Sequence, residues 1–184
     1  MPTPADAVAV ILVDDADRPL GLCDKLEAHR RGLLHRAVSL FAYDEAGRLL
    51  VQQRAPGKYH SGGLWSNTAC THPREGETLE AAVQRGLREE LGIEADDLRH
   101  VFPFTYRAEV GGGLVEHEYD HVFVSRVRGT PRAVPGEVEA FAFEDPAGLL
   151  ADVTARPARF TPWFRLLLPR IAAWERGALD IRST

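Results

Sequence analysis

The sequence has few cysteines and no long apolar run. Its two cysteines, Cys23 and Cys70, lie outside any CxxC pattern, which excludes a zinc knuckle and a thioredoxin-like redox motif. The apolar run at residues 8–13 ends at Asp14 and Asp15, so it is too short for a signal sequence or a membrane span. We therefore expect a cytoplasmic protein with reduced thiols and no membrane partner.

The sequence also lacks an excess of positive charge, internal repeats and low-complexity tracts. Lys and Arg number 22 against 27 Asp and Glu, a net charge of −5, which argues against nucleic acid as a partner. Hydrophobic residues make up 45% of the 184 residues, enough for a core without disulfides. We expect a single domain over residues 1–184, with an N-terminal extension at residues 1–35 and a C-terminal helical segment at residues 160–184.

Alternating apolar residues predict several strands. The predicted strands cover residues 8–13, 37–43, 48–53, 101–110, 115–127 and 138–143. Residues 44–47 and 111–113 carry the turn signals of two hairpins. Because helices are inserted between the strands, this order predicts an α/β (α+β) fold in which a mixed β-sheet is flanked by helices on both faces.

Two segments predict helices. Apolar residues four apart indicate a helix over Thr78–Leu91 that Gly92 ends. Thr161, as an N-cap, and Pro162, in the first turn, open a final helix. We expect Pro169 to kink or split that helix, because proline removes a backbone donor.

Residues 54–73 are expected to be mostly loop, because Gly, Pro, Ser and Asn are frequent there. Loops of this length inside a domain are usually functional. Near its end, Cys70 stands two residues before His72, so a side chain that can transfer a proton lies beside a potential metal ligand. The alternative for Cys70 is a small buried hydrophobe, and we expect Cys23 to be structural.

The predicted helix at residues 78–91 carries carboxylates near its end. Arg85 and Glu89 are four residues apart and share a face, while Glu90 is turned about 100° from Glu89. A solvated face with an ordinary salt bridge is one interpretation. The other is a site where carboxylate oxygens bind a divalent cation that pairs with a diphosphate.

The second interpretation gains weight from a motif, because this segment resembles the Nudix box. The matching positions are Glu77, Arg85, Leu87, Glu89, Glu90, Gly92 and Ile93. Two positions depart from the box: Thr71 stands in place of its first Gly, and Gly86 in place of the Glu that follows the Arg. Diphosphate hydrolysis relies on several carboxylates, so these departures weaken the case for a hydrolase.

Histidines and strand carboxylates form a further candidate site. Glu116 and Glu118 are two residues apart in a predicted strand, so both point to the same face. Together with His29, His35 and His72 they could form an octahedral site for manganese, iron, zinc or magnesium. A polar strand face and surface histidines are the alternative.

Taken together, five motifs in order resemble type I isopentenyl diphosphate isomerase, an enzyme of the Nudix superfamily. They lie at residues 27–35, 65–73, 106–108, 115–118 and 161–163, and the similarity extends from Gly21 to Trp163. The resemblance implies a Nudix-type α-β-α sandwich. It also implies isomerisation of isopentenyl diphosphate to dimethylallyl diphosphate through a tertiary carbocation, a transposition of a C=C bond in isoprenoid biosynthesis.

The resemblance implies two metal positions. A divalent metal, Mn, Mg or Zn, would be bound by His29, His35, His72, Glu116 and Glu118. Glu90 would contact a magnesium ion that bridges the diphosphate.

The remaining site residues also follow from the resemblance. Lys25, Arg54 and Lys58 match positions that bind the diphosphate. Catalytic roles would fall to Cys70 and Glu118, which flank the allylic carbons, to Tyr106, which hydrogen-bonds near Glu118, and to Trp163, which faces the developing cation. The partner would be a small-molecule prenyl diphosphate, and the chain a monomer or weak homodimer.

The clearest departure from that family is Gly86, where the family usually has a second Arg that contacts the diphosphate. Losing such a charge-assisted contact costs on the order of 1.5–3 kcal/mol. Either Arg88 or Arg107 replaces it, or the substrate differs. The alternatives are therefore an isomerase-like enzyme that protonates a longer prenyl chain and starts cyclisation, or a Nudix diphosphate hydrolase that releases phosphate.

Overall fold

The computed structural model of the protein describes residues 9–177, so the first residue of the predicted strand 8–13 and parts of both predicted terminal segments lie outside the described residues. The strands are β1 Ala9–Val13, β2 Pro19–Asp24, β3 His35–Tyr43, β4 Leu49–Arg54, β5 Trp65–Ser66, β6 Ala69–Thr71, β7 Glu94–Gly111, β8 Leu114–Arg128 and β9 Val138–Glu144. The helices are α1 Lys25–Arg31, α2 Leu79–Leu91, α3 Pro146–Ala155 and α4 Pro162–Glu175, with a short 3₁₀ helix at Pro157–Arg159 between the last two.

Strand β3 is the centre of one mixed sheet. It pairs in parallel with β8, where His35 lies opposite Glu118. It pairs antiparallel with β6, where Ser39 lies opposite Cys70. Strands β7 and β8 form a long antiparallel hairpin, and β9 pairs antiparallel with β4. The strands that flank β3 therefore come from distant parts of the chain, and both carry predicted site residues.

The sheet has a hydrophobic core on each face, because successive side chains of a strand point to opposite sides. Phe41 packs with Phe164 and Leu167 of α4 on one face. Leu40 packs with Val83 and Leu87 of α2 on the other. Helix α3 contributes to the same core as α4. This is the predicted α-β-α sandwich with a mixed sheet.

Helix α2 begins and ends at the predicted residues. The Thr78 side chain accepts a hydrogen bond from the Ala81 N–H, as an N-cap does. Gly92 ends the helix in the left-handed conformation, with φ of 62°, which glycine adopts without strain. The Arg85 side chain then donates to the carbonyl of His72 at 2.8 Å, so α2 holds the loop that carries this histidine.

The segment 54–73 is mostly loop, as predicted. It also contains β5 and β6, strands of two and three residues that are too short to show alternation. The predicted split of the last helix is wrong. Pro169 does not split the last helix, which continues from Pro162 to Glu175. The helix stays continuous at Pro169 because its apolar face is buried against the sheet. The buried residues of that face are Trp163, Phe164, Leu167, Leu168 and Ile171.

Besides β5 and β6, the elements β2, α1 and α3 have no counterpart among the predicted strands and helices. Helix α1 is seven residues long, with Asp24 as its N-cap and Gly32 at its C-terminus, and it presents His29 to the sheet. Over residues 9–177, no helix has both the length and the apolar character to span a membrane.

Candidate active site

The predicted catalytic thiol is part of a hydrogen-bonded chain across the sheet. The Ser39 hydroxyl lies 3.6 Å from the Cys70 sulfur and donates to Asp120 Oδ2 at 2.7 Å. Burial, followed by the nearby charges of Glu118 and Asp120, raises the pKa of Cys70 well above its ordinary value, so the thiol is protonated at neutral pH. Burial and the charge of Glu118 likewise raise the pKa of Asp120.

Three histidine side chains and one glutamate side chain lie close together near the Cys70 thiol. His29 comes from α1, His35 from the first position of β3, His72 from the residue after β6, and Glu118 from β8. One ligand atom of each lies within 4.8 Å of those of the others. His72 Nε2 is 2.9 Å and His35 Nε2 is 3.6 Å from Glu118 Oε1. Imidazole nitrogens and a carboxylate fit a divalent metal ion.

The backbone orients two of these rings. His29 Nδ1 lies 2.6 Å from the carbonyl of Lys25, and His35 Nδ1 lies 2.8 Å from that of Leu33. Because a carbonyl only accepts, each Nδ1 carries a hydrogen and each Nε2 faces the site. The Tyr59 hydroxyl lies 3.4 Å from the Nε2 of His29. Metal-binding histidines usually have such a partner on the other ring nitrogen.

Burial sets the protonation of the histidines. It lowers the pKa of His29 to about 4 and that of His72 to about 3, so both are neutral at neutral pH, the form that binds metal. For His35 burial lowers the pKa, but the contacts with Glu118 outweigh it and the net shift is upward. Burial raises the pKa of Glu118, yet its contacts with the His35 and His72 rings outweigh burial and hold that pKa well below its ordinary value.

Tyr106 links the two predicted carboxylate ligands. Its hydroxyl lies 2.8 Å from Glu116 Oε2 and 2.7 Å from Glu118 Oε2. The hydroxyl has one hydrogen, so it donates to one carboxylate at a time. Burial, followed by these two charges, raises the pKa of Tyr106 well above its ordinary value, which keeps the hydroxyl protonated. The register of β7 on β8, with Tyr106 opposite Glu118, produces the contact.

Glu116 belongs to a different donor group from the one containing Glu118. Its carboxylate, His29 and His60 form a second set whose ligand atoms lie within 4.8 Å of one another. His60 Nε2 is 3.2 Å from Glu116 Oε1. His60 is not among the predicted site residues, although it lies in the loop predicted to be functional, two residues after Lys58.

The three cations expected to bind a diphosphate influence one another electrostatically. Burial, then the charges of Lys58 and Arg54, lowers the pKa of Lys25. Glu90 is close to the same two cations; burial raises its pKa, and a hydrogen bond from Gln52 opposes that shift. Lys58 forms an ion pair with Glu137.

Trp163 closes the site from α4. It is buried, and its Nε1–H donates to Asn67 Oδ1 at 3.1 Å. Asn67 in turn donates to the carbonyls of Leu40 and Ala69, which fixes the indole to the strands around Cys70. The Arg54 guanidinium stacks over the indole ring at 5.3 Å, showing that this ring accepts a cation. Trp163 also packs in the core with Leu167, so it has a structural role as well.

The site contains unpaired polar atoms. Within residues 9–177, three buried side-chain atoms lack a hydrogen-bond partner: His35 Nε2, Arg54 Nε and Asp120 Oδ1. All three belong to the residues described above. An unpaired buried polar atom costs about 1–3 kcal/mol, so their concentration here is typical of a site that receives a ligand.

The two departures from the Nudix box explain each other. Gly86 is buried on α2, and a Cβ built there would lie 3.0 Å from Cγ2 of Thr71 on β6. The Thr71 methyl therefore fills the space next to the helix that a larger residue at position 86 would need. Of the proposed replacements for the missing arginine, Arg88 is exposed and 3.8 Å from Glu94, and Arg107 is exposed beside Gly32.

Comparison with known proteins identifies the family. The NUDIX domain family matches residues 33–164. An isopentenyl-diphosphate Delta-isomerase from Burkholderia multivorans is 51% identical over 161 residues, covering 88% of this chain and 91% of its own length. Isopentenyl-diphosphate Delta-isomerase 2 from Aromatoleum aromaticum is 47% identical over 162 residues, covering 88% of this chain and 85% of its own.

Solved structures agree on the fold. A Deinococcus radiodurans protein superposes with a TM-score of 0.70 at 22% identity, covering 88% of this chain and 98% of its own. A MutT protein from Methanosarcina mazei superposes with a TM-score of 0.62 at 16% identity. The match covers 78% of this chain and 96% of the MutT chain. Since the domain match covers most of the chain and the relatives align over nearly all of it, this protein belongs to the NUDIX superfamily and, within it, to the isopentenyl-diphosphate Delta-isomerase family.

Proposed function

We propose that this protein converts isopentenyl diphosphate into dimethylallyl diphosphate. The observation that supports this most is that the donor atoms of His29, His35, His72 and Glu118 lie within 4.8 Å of one another. The charge of Glu118 also acts on the buried Cys70 thiol, and the unpaired buried polar atoms of residues 9–177 belong to these residues and their neighbours. The partner is a small prenyl diphosphate, and we expect the chain to act on it as one cytoplasmic domain.

The reaction needs two proton-transfer groups. A proton adds to the terminal alkene carbon, another leaves from the carbon on the other side, and the intermediate is a tertiary carbocation. Cys70 and Glu118 are the proposed pair, because they lie on the two strands that flank β3 and because burial and the charge of Glu118 raise the pKa of Cys70. Each group donates in one direction of the reaction and accepts in the reverse direction.

The surrounding residues have supporting roles in this proposal. Tyr106 donates to Glu118 and fixes the orientation of its carboxylate. The Trp163 indole stabilises positive charge through its ring, typically by about 0.5–2 kcal/mol, once Arg54 turns from the ring to the substrate. The buried walls exclude water, which would otherwise capture a carbocation.

The metal would be bound by His29, His35, His72 and Glu118, with Glu116 alongside. When bound, a divalent ion supplies positive charge that changes the proton affinity of a carboxylate ligand. We propose manganese, magnesium or zinc for this position, and magnesium at Glu90 for the diphosphate. Lys25, Arg54 and Lys58 would bind the diphosphate, Arg54 through paired hydrogen bonds and the lysines as point charges.

The function is tested by incubating the purified protein with isopentenyl diphosphate and Mg²⁺ and following products by NMR and a phosphate assay. We expect dimethylallyl diphosphate without free phosphate. Release of phosphate would instead indicate a hydrolase. If the five-carbon substrate is unchanged while a longer prenyl diphosphate reacts, the longer-chain alternative replaces the proposal.

The proposed pair is tested by Cys70→Ala and Glu118→Gln. Each variant should lower kcat by about 10²–10⁴-fold, the contribution of a positioned acid or base, with a far-UV CD spectrum like that of the wild type. Cys23→Ala is the matched control, since Cys23 is a partly exposed free thiol of β2, and it should keep full activity. Robust turnover by Cys70→Ala or Glu118→Gln would remove that residue from the mechanism.

The Thr71–Gly86 pair is tested by restoring the family arrangement. Gly86→Arg alone should gain little, because its Cβ meets the Thr71 methyl at 3.0 Å. Thr71→Gly together with Gly86→Arg frees that space and adds a cation, so KM for the diphosphate should fall about 10–100-fold. Steady-state kinetics and melting temperatures are measured for the wild type, both single variants and the double variant, which together make a double-mutant cycle. Equal gains for Gly86→Arg and the double variant would show that the two positions are independent.

A further inference from the structure

His60 is the imidazole of this site for which neither the motifs nor the family resemblance gives a role. It lies between β4 and β5, is 7% exposed, and its ring centroid is 5.5 Å from that of His29. Its Nε2 is 3.2 Å from Glu116 Oε1. A buried imidazole that faces a carboxylate and lies next to His29 is placed where a metal ligand would be.

The spacing of the donor atoms supports that role. With metal–ligand bonds of about 2.1 Å, neighbouring donors lie about 3.0 Å apart in an octahedral site and about 3.4 Å apart in a tetrahedral one. The His60–Glu116 distance of 3.2 Å falls in this range. It lies between the His72–Glu118 distance of 2.9 Å and the His35–Glu118 distance of 3.6 Å.

The orientation of the ring supports it as well. His60 Nδ1 lies 3.3 Å from the Ser61 hydroxyl, leaving Nε2 toward Glu116. His29 and His35 have the same arrangement, with Nδ1 bonded to a neighbouring backbone carbonyl and Nε2 facing the site. A partner on the outer nitrogen is the usual support of a metal-binding histidine.

We propose that His60 binds the metal ion directly, as part of a second donor set with His29 and Glu116. Two imidazoles and a carboxylate suit a transition-metal-class ion such as Zn²⁺ or Co²⁺. The set shares His29 with the four-donor group, and His29 Nδ1 is engaged by Lys25, so only Nε2 can bind an ion. His29 can therefore bind only one ion, and the proposed centre is a single ion with His60 among its ligands. The inference rests on the metal centre of the proposed function.

The competing explanation is that His60 only donates a hydrogen bond to a liganding Glu116. His60→Gln separates the two, because the glutamine amide can still donate to Glu116 but is a poor ligand for Co²⁺. His60→Asn is the second variant, with a shorter amide. His100→Asn is the matched control, since His100 is exposed and pairs with His121 instead.

The test uses Co²⁺ alone, without substrate, on the full chain. We expect one Co²⁺ per wild-type chain and one set of hyperfine-shifted imidazole NMR signals for each liganding histidine. His60→Gln and His60→Asn should each lose one such set and bind Co²⁺ at least 10-fold more weakly, while His100→Asn matches the wild type. Metal-free melting temperatures identify a variant that fails to fold, and the other variant then decides.

The proposal is overturned if a folded His60 variant keeps every imidazole signal of the wild type. That result would leave the isomerase function untouched, because wild-type turnover is measured separately. Conversely, loss of one imidazole set in a protein that does not isomerise isopentenyl diphosphate would support the ligand and reject the function.

Discussion

The parallel pairing of β3 with β8 is the interaction on which the site depends. It places His35 opposite Glu118, while β6 on the other edge of β3 places Cys70 opposite Ser39. Because side chains alternate across a strand, a slip of one residue in either pairing would turn these groups to the opposite face. The buried pairs Phe41–Phe164 and Leu40–Leu87, on opposite faces of the same strand, oppose such a slip.

The strand pairing and core packing around β3 also hold buried polar groups in an arrangement that is unfavourable for folding. Buried imidazoles, two carboxylates and unpaired polar atoms destabilise a folded chain. Here they lie at one end of the sheet, where strand pairing, α1 and the loop bonded by Arg85 fix them before any ligand binds. Catalytic and metal-binding groups gain from such preorganisation, since little rearrangement is needed when substrate arrives.

Much of the site could be predicted from sequence where the signal is local. Glu116 and Glu118 share a strand face because strands alternate, and the caps of α2 are readable from Thr78 and Gly92. The grouping of Glu116 with His60 could not be predicted, since it depends on how a loop folds over the sheet. Nor could the contact between Thr71 and Gly86, which appears only when β6 and α2 are packed together. Pro169 does not split α4, because burial of the helix against the sheet outweighs the local preference of proline.

The central claim is that two separate protein groups, one on each side of the pocket, exchange protons with the substrate. It is tested most directly by running the conversion of isopentenyl diphosphate in D₂O and analysing the first product formed by mass spectrometry and NMR. The account predicts one deuterium per dimethylallyl diphosphate, in the methyl group that derives from the terminal alkene carbon. Product that carries no deuterium would show that a single group moves the substrate's own proton, and would contradict it.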